Sequence, residues 1–135
     1  MDKAALSLYE ASLTRCSANP RFTERFYEIF LASSPRVAEK FAHTDFVRQR
    51  QALDASLHLM LSAVTDETHG PDRFLRELAD RHSRRELSIG AEFYDYWLDS
   101  LLAAVREIDP ECDEAVCQAW ERVMMVGIGY MLSRY

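Results

Sequence analysis

Apolar residues recur along this chain at three- and four-residue spacing, the period of helices with one buried face. Residues 3–16 carry Ala4, Leu6, Leu8 and Leu13, and "SANP" ends that segment, with Pro20 suited to the first turn of the next. "RFTERFYEIFLAS" places Phe22, Phe26, Ile29 and Phe30 on one face. "SSPRVAEKF" reads as a serine-capped short helical turn beginning at Pro35. A long helix over roughly 45–65, capped by Thr44 or Asp45, has the stripe Phe46, Gln49, Leu53, Leu57, Met60, Leu61, Val64, in which Gln49 is the one polar member. After the loop "DETHGPD" the pattern predicts helices over 72–86 and 91–108, with Ser88 or Gly90 capping the second. "DP" at 109–110 predicts a further start, Asp109 as cap and Pro110 as first helical residue. That last helix turns Val116, Ala119, Val123, Val126, Gly127, Tyr130 and Met131 inward. Six substantial helices and one short one make an all-α fold, and periodicity alone does not choose among helical packings.

Composition narrows the function. The 135 residues suit one domain spanning 1–135, and four Gly and four Pro are too few for a many-stranded β fold. A net charge of −6 and a pI near 5.2 oppose binding to a phosphate backbone. No apolar run approaches the length of a membrane span, and "MDKAALSLYEASL" lacks a signal-peptide pattern, so a cytoplasmic location is expected. Three cysteines, Cys16, Cys112 and Cys117, do not make a disulfide framework, and the gap between the last two is not a zinc spacing. Reduced thiols are expected.

The sequence contains no Glu-x-x-His pair for a di-iron bundle, no HExxH, CxxC, Walker or dinucleotide glycine motif, and no nucleophile elbow. One arrangement is more specific. His82 follows Leu75 and Leu78 on one helical side, and Leu87, Ile89, Phe93, Tyr94 and Trp97 supply an aromatic and apolar wall downstream. Tyr27 and Phe41 lie upstream. A flat apolar cofactor with one axial imidazole needs such a slot.

On these residues the chain resembles the bacterial single-domain globins and the globin domain of flavohaemoglobins. "RFYEIFLASSPRVAEKF" is similar to their B-to-C segment, with Tyr27 at the distal tyrosine, Pro35 at the C-helix proline and Phe41 at the phenylalanine that packs on the haem. "FVRQRQALDASL" resembles the E helix, with Gln49 at the distal position and Leu53 a turn on. The segment before it is about two residues shorter than in the family, which leaves Arg48, or a residue a turn away, as the alternative distal residue. "LADRHS" places His82 at the proximal position, Tyr94 to Leu98 match the G helix, and "CQAWERVMMVGIGYM" resembles the H helix. The likeness departs at Tyr135, where the family carries a glutamate linked to the proximal histidine through a tyrosine matched here by Tyr94.

The resemblance implies a globin fold of six to seven helices around a haem pocket, with haem b bound through iron to His82. Phe41, Leu53, Leu78, Phe93 and Trp97 would contact the macrocycle, and the Leu78 carbonyl would accept from the other imidazole nitrogen. Tyr27 and Gln49 would donate hydrogen bonds to a diatomic ligand. The arginines Arg48, Arg81, Arg84 and Arg85, with His43, are the cationic candidates for the propionates. The implied function is reversible binding of O2, and of CO and NO, for storage, delivery or buffering. Alternatives are NO dioxygenation with an external reductase, gas sensing, and, last, a haem-free helical scaffold. Neither nucleic acid nor membrane is an expected partner, and a homodimer is compatible with the reading.

Overall fold

The computed structural model describes residues 1–83 and 89–135. All regular structure among them is helical: α1 (Lys3–Ser17), α2 (Arg21–Ser33), α3 (Pro35–Lys40), α4 (Phe46–Thr65), α5 (Gly70–His82), α6 (Ala91–Ile108) and α7 (Glu114–Ser133). The starts follow local chemistry. Ser34 Oγ accepts from the Arg36 N–H at 3.2 Å ahead of Pro35, and Asp45, rather than Thr44, caps α4 by accepting from Val47 N–H at 3.1 Å. Gly90 precedes α6 without a side-chain cap, and Ser88 lies outside the described residues.

Four expectations are corrected. Helix α7 starts at Glu114, not Pro110, because Asp113 is its cap, with Oδ1 accepting from Val116 N–H at 2.9 Å. Asp109 instead closes α6, and its carboxylate is committed elsewhere. Helix α5 ends at His82, since Ser83 is extended and both its N–H and its hydroxyl turn back to the Asp80 carbonyl; residues 84–86 of the expected helix lie outside the described residues. On α1 the buried face is Ala5, Tyr9, Ser12, Leu13 and Cys16, while Ala4 and Leu8 are exposed. Two polar side chains on that face have interior partners, which a pattern of apolar letters does not register. Val126, expected inside, is exposed on α7.

Helix α2 packs chiefly on α6, α4 on α5, and α7 on both α1 and α5. The fully buried Trp120 of α7 sits where these layers meet, 4.8 Å edge-on from Tyr9 and 6.1 Å from Phe22. Aromatic pairs in this geometry contribute about 0.5–1.5 kcal/mol each beyond area burial. A polar chain runs from the indole. Trp120 Nε1 donates to Ser12 Oγ (2.9 Å), and Ser12 donates to Asp109 (2.6 Å). Asp109 also takes Arg15 Nε at 2.6 Å and the Glu111 N–H at 2.9 Å. Burial alone would raise the Asp109 pKa, but the bonds from Arg15, Ser12 and the Glu111 N–H outweigh it and hold the carboxyl at about 2. Tyr9 donates to the Leu57 carbonyl at 2.7 Å, tying α1 to α4.

The α4–α5 connection needs a glycine. A Cβ at Gly70 would run into the backbone carbonyl of Ala63, so the two helices approach more closely there than any other residue permits.

Candidate functional site

A cavity of about 220 Å³ opens among α2, α4, α5, α6 and α7. One ordered water needs only about 10–15 Å³ of such space, so this is far more than a packing defect. Its lining includes Tyr27, Phe41, Gln49, Leu53, Leu78, His82, Phe93 and Trp97. These eight side chains, spread over seventy positions of sequence, are the eight singled out from the sequence alone.

Helix α2 contributes Tyr27 because its apolar face repeats as Phe22, Phe26 and Phe30, and Tyr27 flanks that row. The Tyr27 ring lies in an aromatic cluster, 6.1 Å from Phe41 and 5.5 Å from Phe46. Burial raises the Tyr27 pKa to about 12, partly offset by a hydrogen bond with the Gln49 side chain. The hydroxyl therefore keeps its proton at every physiological pH. Gln49 lines the cavity from the first turns of α4, whereas Arg48 is exposed and does not.

His82 is the last residue of α5 and half-buried. Its Nδ1 lies 2.8 Å from the Leu78 carbonyl oxygen, so a proton on Nδ1 donates there and Nε2 carries the lone pair. Burial lowers the His82 pKa, the Leu78 bond opposes this, and the charge of Arg81 lowers it further. The net effect favours the neutral ring, the form that ligates a metal.

Sequence reasoning missed part of the lining. Phe30, Met60, Ile128 and Met131 close the apolar end, with Ala52 and Ser56 beside them. Met60 and Met131 are both buried. The sequence signal was present, since Met60 and Met131 lay on inward stripes, but periodicity says that a residue faces inward without saying what it faces. Gly127 makes room for this end, because a Cβ there would collide with the Met60 thioether. Tyr94, also lining, donates its hydroxyl to Met131 Sδ at 3.5 Å.

Among the cationic candidates Arg81 lines the cavity and Arg48 and His43 do not; Arg84, Arg85 and the wall residue Leu87 lie outside the described residues. Lys40, not anticipated, lines the mouth, with its ammonium 5.6 Å from the Phe93 ring centre; Arg36 sits 5.5 Å from the same ring. Both contacts have cation–π geometry.

The residues fit a haem. The walls are largely apolar and aromatic, a single imidazole presents Nε2, and two cationic side chains, Lys40 and Arg81, are part of the lining. Among the described residues no group of three or more His, Cys, Asp or Glu side chains is placed to hold a bare ion. An iron at His82 would therefore need its remaining ligands from a macrocycle.

No helix among the described residues is long and apolar enough to cross a membrane. No protein-family model and no curated protein matches the chain. Among solved structures it is similar to a crystal structure of a protein from Pseudomonas aeruginosa PAO1, described as structurally highly homologous to a human hemoglobin. The two share 40% identity over 97% of this chain and 98% of that one, with a TM-score of 0.90. With that identity over nearly the full length of both chains and a shared fold, the chain belongs to the globin family.

Proposed function

We propose that the 135 residues act as one haem-binding globin domain that takes O2, and CO and NO, reversibly, in storage, delivery or buffering of O2. The observation that carries this reading is the convergence, in one apolar cavity, of a histidine whose Nδ1 is held by a carbonyl and a tyrosine–glutamine pair with a proton to donate. Haem b, when bound, supplies iron with a coordination position for a diatomic ligand. The chain supplies the rest. His82 holds the group from α5 through Nε2, with its tautomer set by Leu78. Phe41, Leu53, Leu78, Phe93 and Trp97 exclude water and grip a flat apolar ring. Tyr27 and Gln49 offer hydrogen-bond donors to partial negative charge on the ligand, a contribution of roughly 1–3 kcal/mol when the acceptor is charged.

Binding is favoured over NO dioxygenation by the fate of Tyr94. Its hydroxyl is spent on the Met131 thioether, and the position where the flavohaemoglobin pattern has a glutamate is Tyr135, so the carboxylate of that relay is missing.

The test is the absorption spectrum of haem-reconstituted protein, wild type and His82→Ala. Wild type is expected to show a strong Soret band and a deoxy-to-oxy shift, and the variant to lose or sharply alter both. An unchanged variant spectrum would remove His82 as ligand, and a wild type that takes up no haem would leave a haem-free scaffold as the better reading. NO consumption with a generic reductase above the free-haem background would restore the enzymatic alternative.

A further inference from the structure

At the far end of α7 from the cavity residues stands a second constellation that the globin reading does not use. The Cys112 and Cys117 sulfurs are 3.2 Å apart, one in the α6–α7 connection and the other in the first turns of α7. Cys112 is half-buried and Cys117 buried; a shallow groove lined by Arg106, Glu114, Gln118 and Glu121 leads to both. The third thiol, Cys16, is fully buried on α1. We propose that Cys112 and Cys117 are an oxidisable dithiol, a modification site for small disulfides of the glutathione type, that closes to an intrachain disulfide across the start of α7.

The geometry carries the pairing. A disulfide bond is about 2.05 Å long, so the two sulfurs need to approach by only roughly 1 Å. Cys112 lies outside helical constraint, between the turn bonded at Asp109 and the cap at Asp113, so a side-chain rotation with a small loop adjustment supplies that movement. Proximity, rather than an activated thiolate, drives closure: burial first, and then the adjoining Cys117 thiol, raise the Cys112 pKa. The chemistry balances as two exchanges. The Cys112 sulfur, giving up its proton, attacks one sulfur of the oxidised glutathione; that S–S bond breaks and one glutathione leaves as a thiol. The Cys117 sulfur then attacks the Cys112 sulfur of the mixed disulfide, loses its proton, and expels the second glutathione thiol. Two protein thiols are oxidised and one small disulfide is reduced to two thiols. The resulting ring spans 112–117 and encloses Asp113, so it staples the cap of α7 that the Val116 N–H already engages.

The experiment uses the full-length protein in glutathione buffers from fully reduced to fully oxidised, acid-quenched and alkylated, and read by intact mass. Cleavage after glutamate separates Cys112 from Cys117 at Glu114, so the link is mapped directly. The expected result is a fall from three alkylatable thiols to one, with the peptides on either side of Glu114 joined and Cys16 still alkylated. Cys117→Ser, checked for an unchanged melting profile, is expected to stop at the mixed disulfide on Cys112. Three persistent thiols under oxidising buffer would overturn the proposal. So would a link through Cys16 or between two chains, or a Cys117→Ser protein that takes up no glutathione.

Discussion

Asp109→Asn isolates one charge whose contribution to stability is readable from its surroundings. The carboxylate has no exposed side-chain surface, and it accepts from Ser12, Arg15 and the Glu111 N–H. Those bonds hold its folded pKa at about 2 against an ordinary 3.8. A depressed folded pKa means stability that is present above the unfolded value and lost as pH falls through the folded one. The gap corresponds to at most about 2.4 kcal/mol at neutral pH and to about 1.3 kcal/mol at pH 3. Arg15 is 27% exposed, so solvent screens part of the pair and about 2 kcal/mol is the working figure at neutral pH. Unfolding entropy of roughly 2 cal/mol/K per residue converts this to a fall in melting temperature of about 7 °C. The assay is urea denaturation of wild type and Asp109→Asn at pH 7 and at pH 3, with melting curves alongside. The stability difference is expected to shrink by about 1 kcal/mol between the two pH values, as the wild-type carboxyl takes up its proton and the amide does not. Equal stability at pH 7, or a difference that stays constant down to pH 3, would refute the reasoning.

Three further outcomes are expected. Tyr27→Phe keeps the ring in its aromatic cluster and removes only the hydroxyl; O2 dissociation from reconstituted protein, followed by stopped flow, should accelerate about 5- to 150-fold, and an unchanged rate would take Tyr27 out of ligand contact. Gly70→Ala forces a Cβ into the Ala63 carbonyl, which as backbone cannot swing aside, so a loss of about 1–3 kcal/mol should appear in chemical denaturation; wild-type stability would mean that the α4–α5 approach relaxes freely. Gly127→Ala meets instead the flexible end of Met60, and the helix gains up to about 1 kcal/mol of propensity. Near-neutral stability with a shifted Met60 methyl resonance and weaker haem uptake is expected, and an unmoved methyl would contradict the contact.

The parts of this molecule legible in the sequence were those set by neighbours along the chain. Ser34, Pro35 and Asp45 announce their helices because caps act over two or three residues. The Asp–Pro pair at 109–110 misled for the opposite reason. Asp109 has the right chemistry for a cap, but it is drawn to Arg15, ninety-four residues away, and the role passes to Asp113. The same limit hid Ile128 and Met131, whose place at the cavity depends on how α7 crosses α4 and α5. Tyr9 and Ser12 were missed on α1 because their partners, the Leu57 carbonyl and the Trp120 indole, come from other helices. Of Tyr27, Phe41, Gln49 and His82, Gln49 stood out locally as the one polar residue on an apolar stripe, while the ordered set of four was visible through its resemblance to the globin pattern.

The two thioethers at the apolar end of the cavity have a consequence for what the fold can accommodate. Met60 and Met131 are unbranched, with three rotatable bonds each, where leucine or isoleucine would present a fixed contour. A guest of different thickness, or a ruffled rather than planar one, can be met by torsional rotation of these chains while α4 and α7 keep their spacing. Oxidation would remove that compliance, since a sulfoxide needs a polar partner that the apolar end of this cavity offers chiefly through Tyr94.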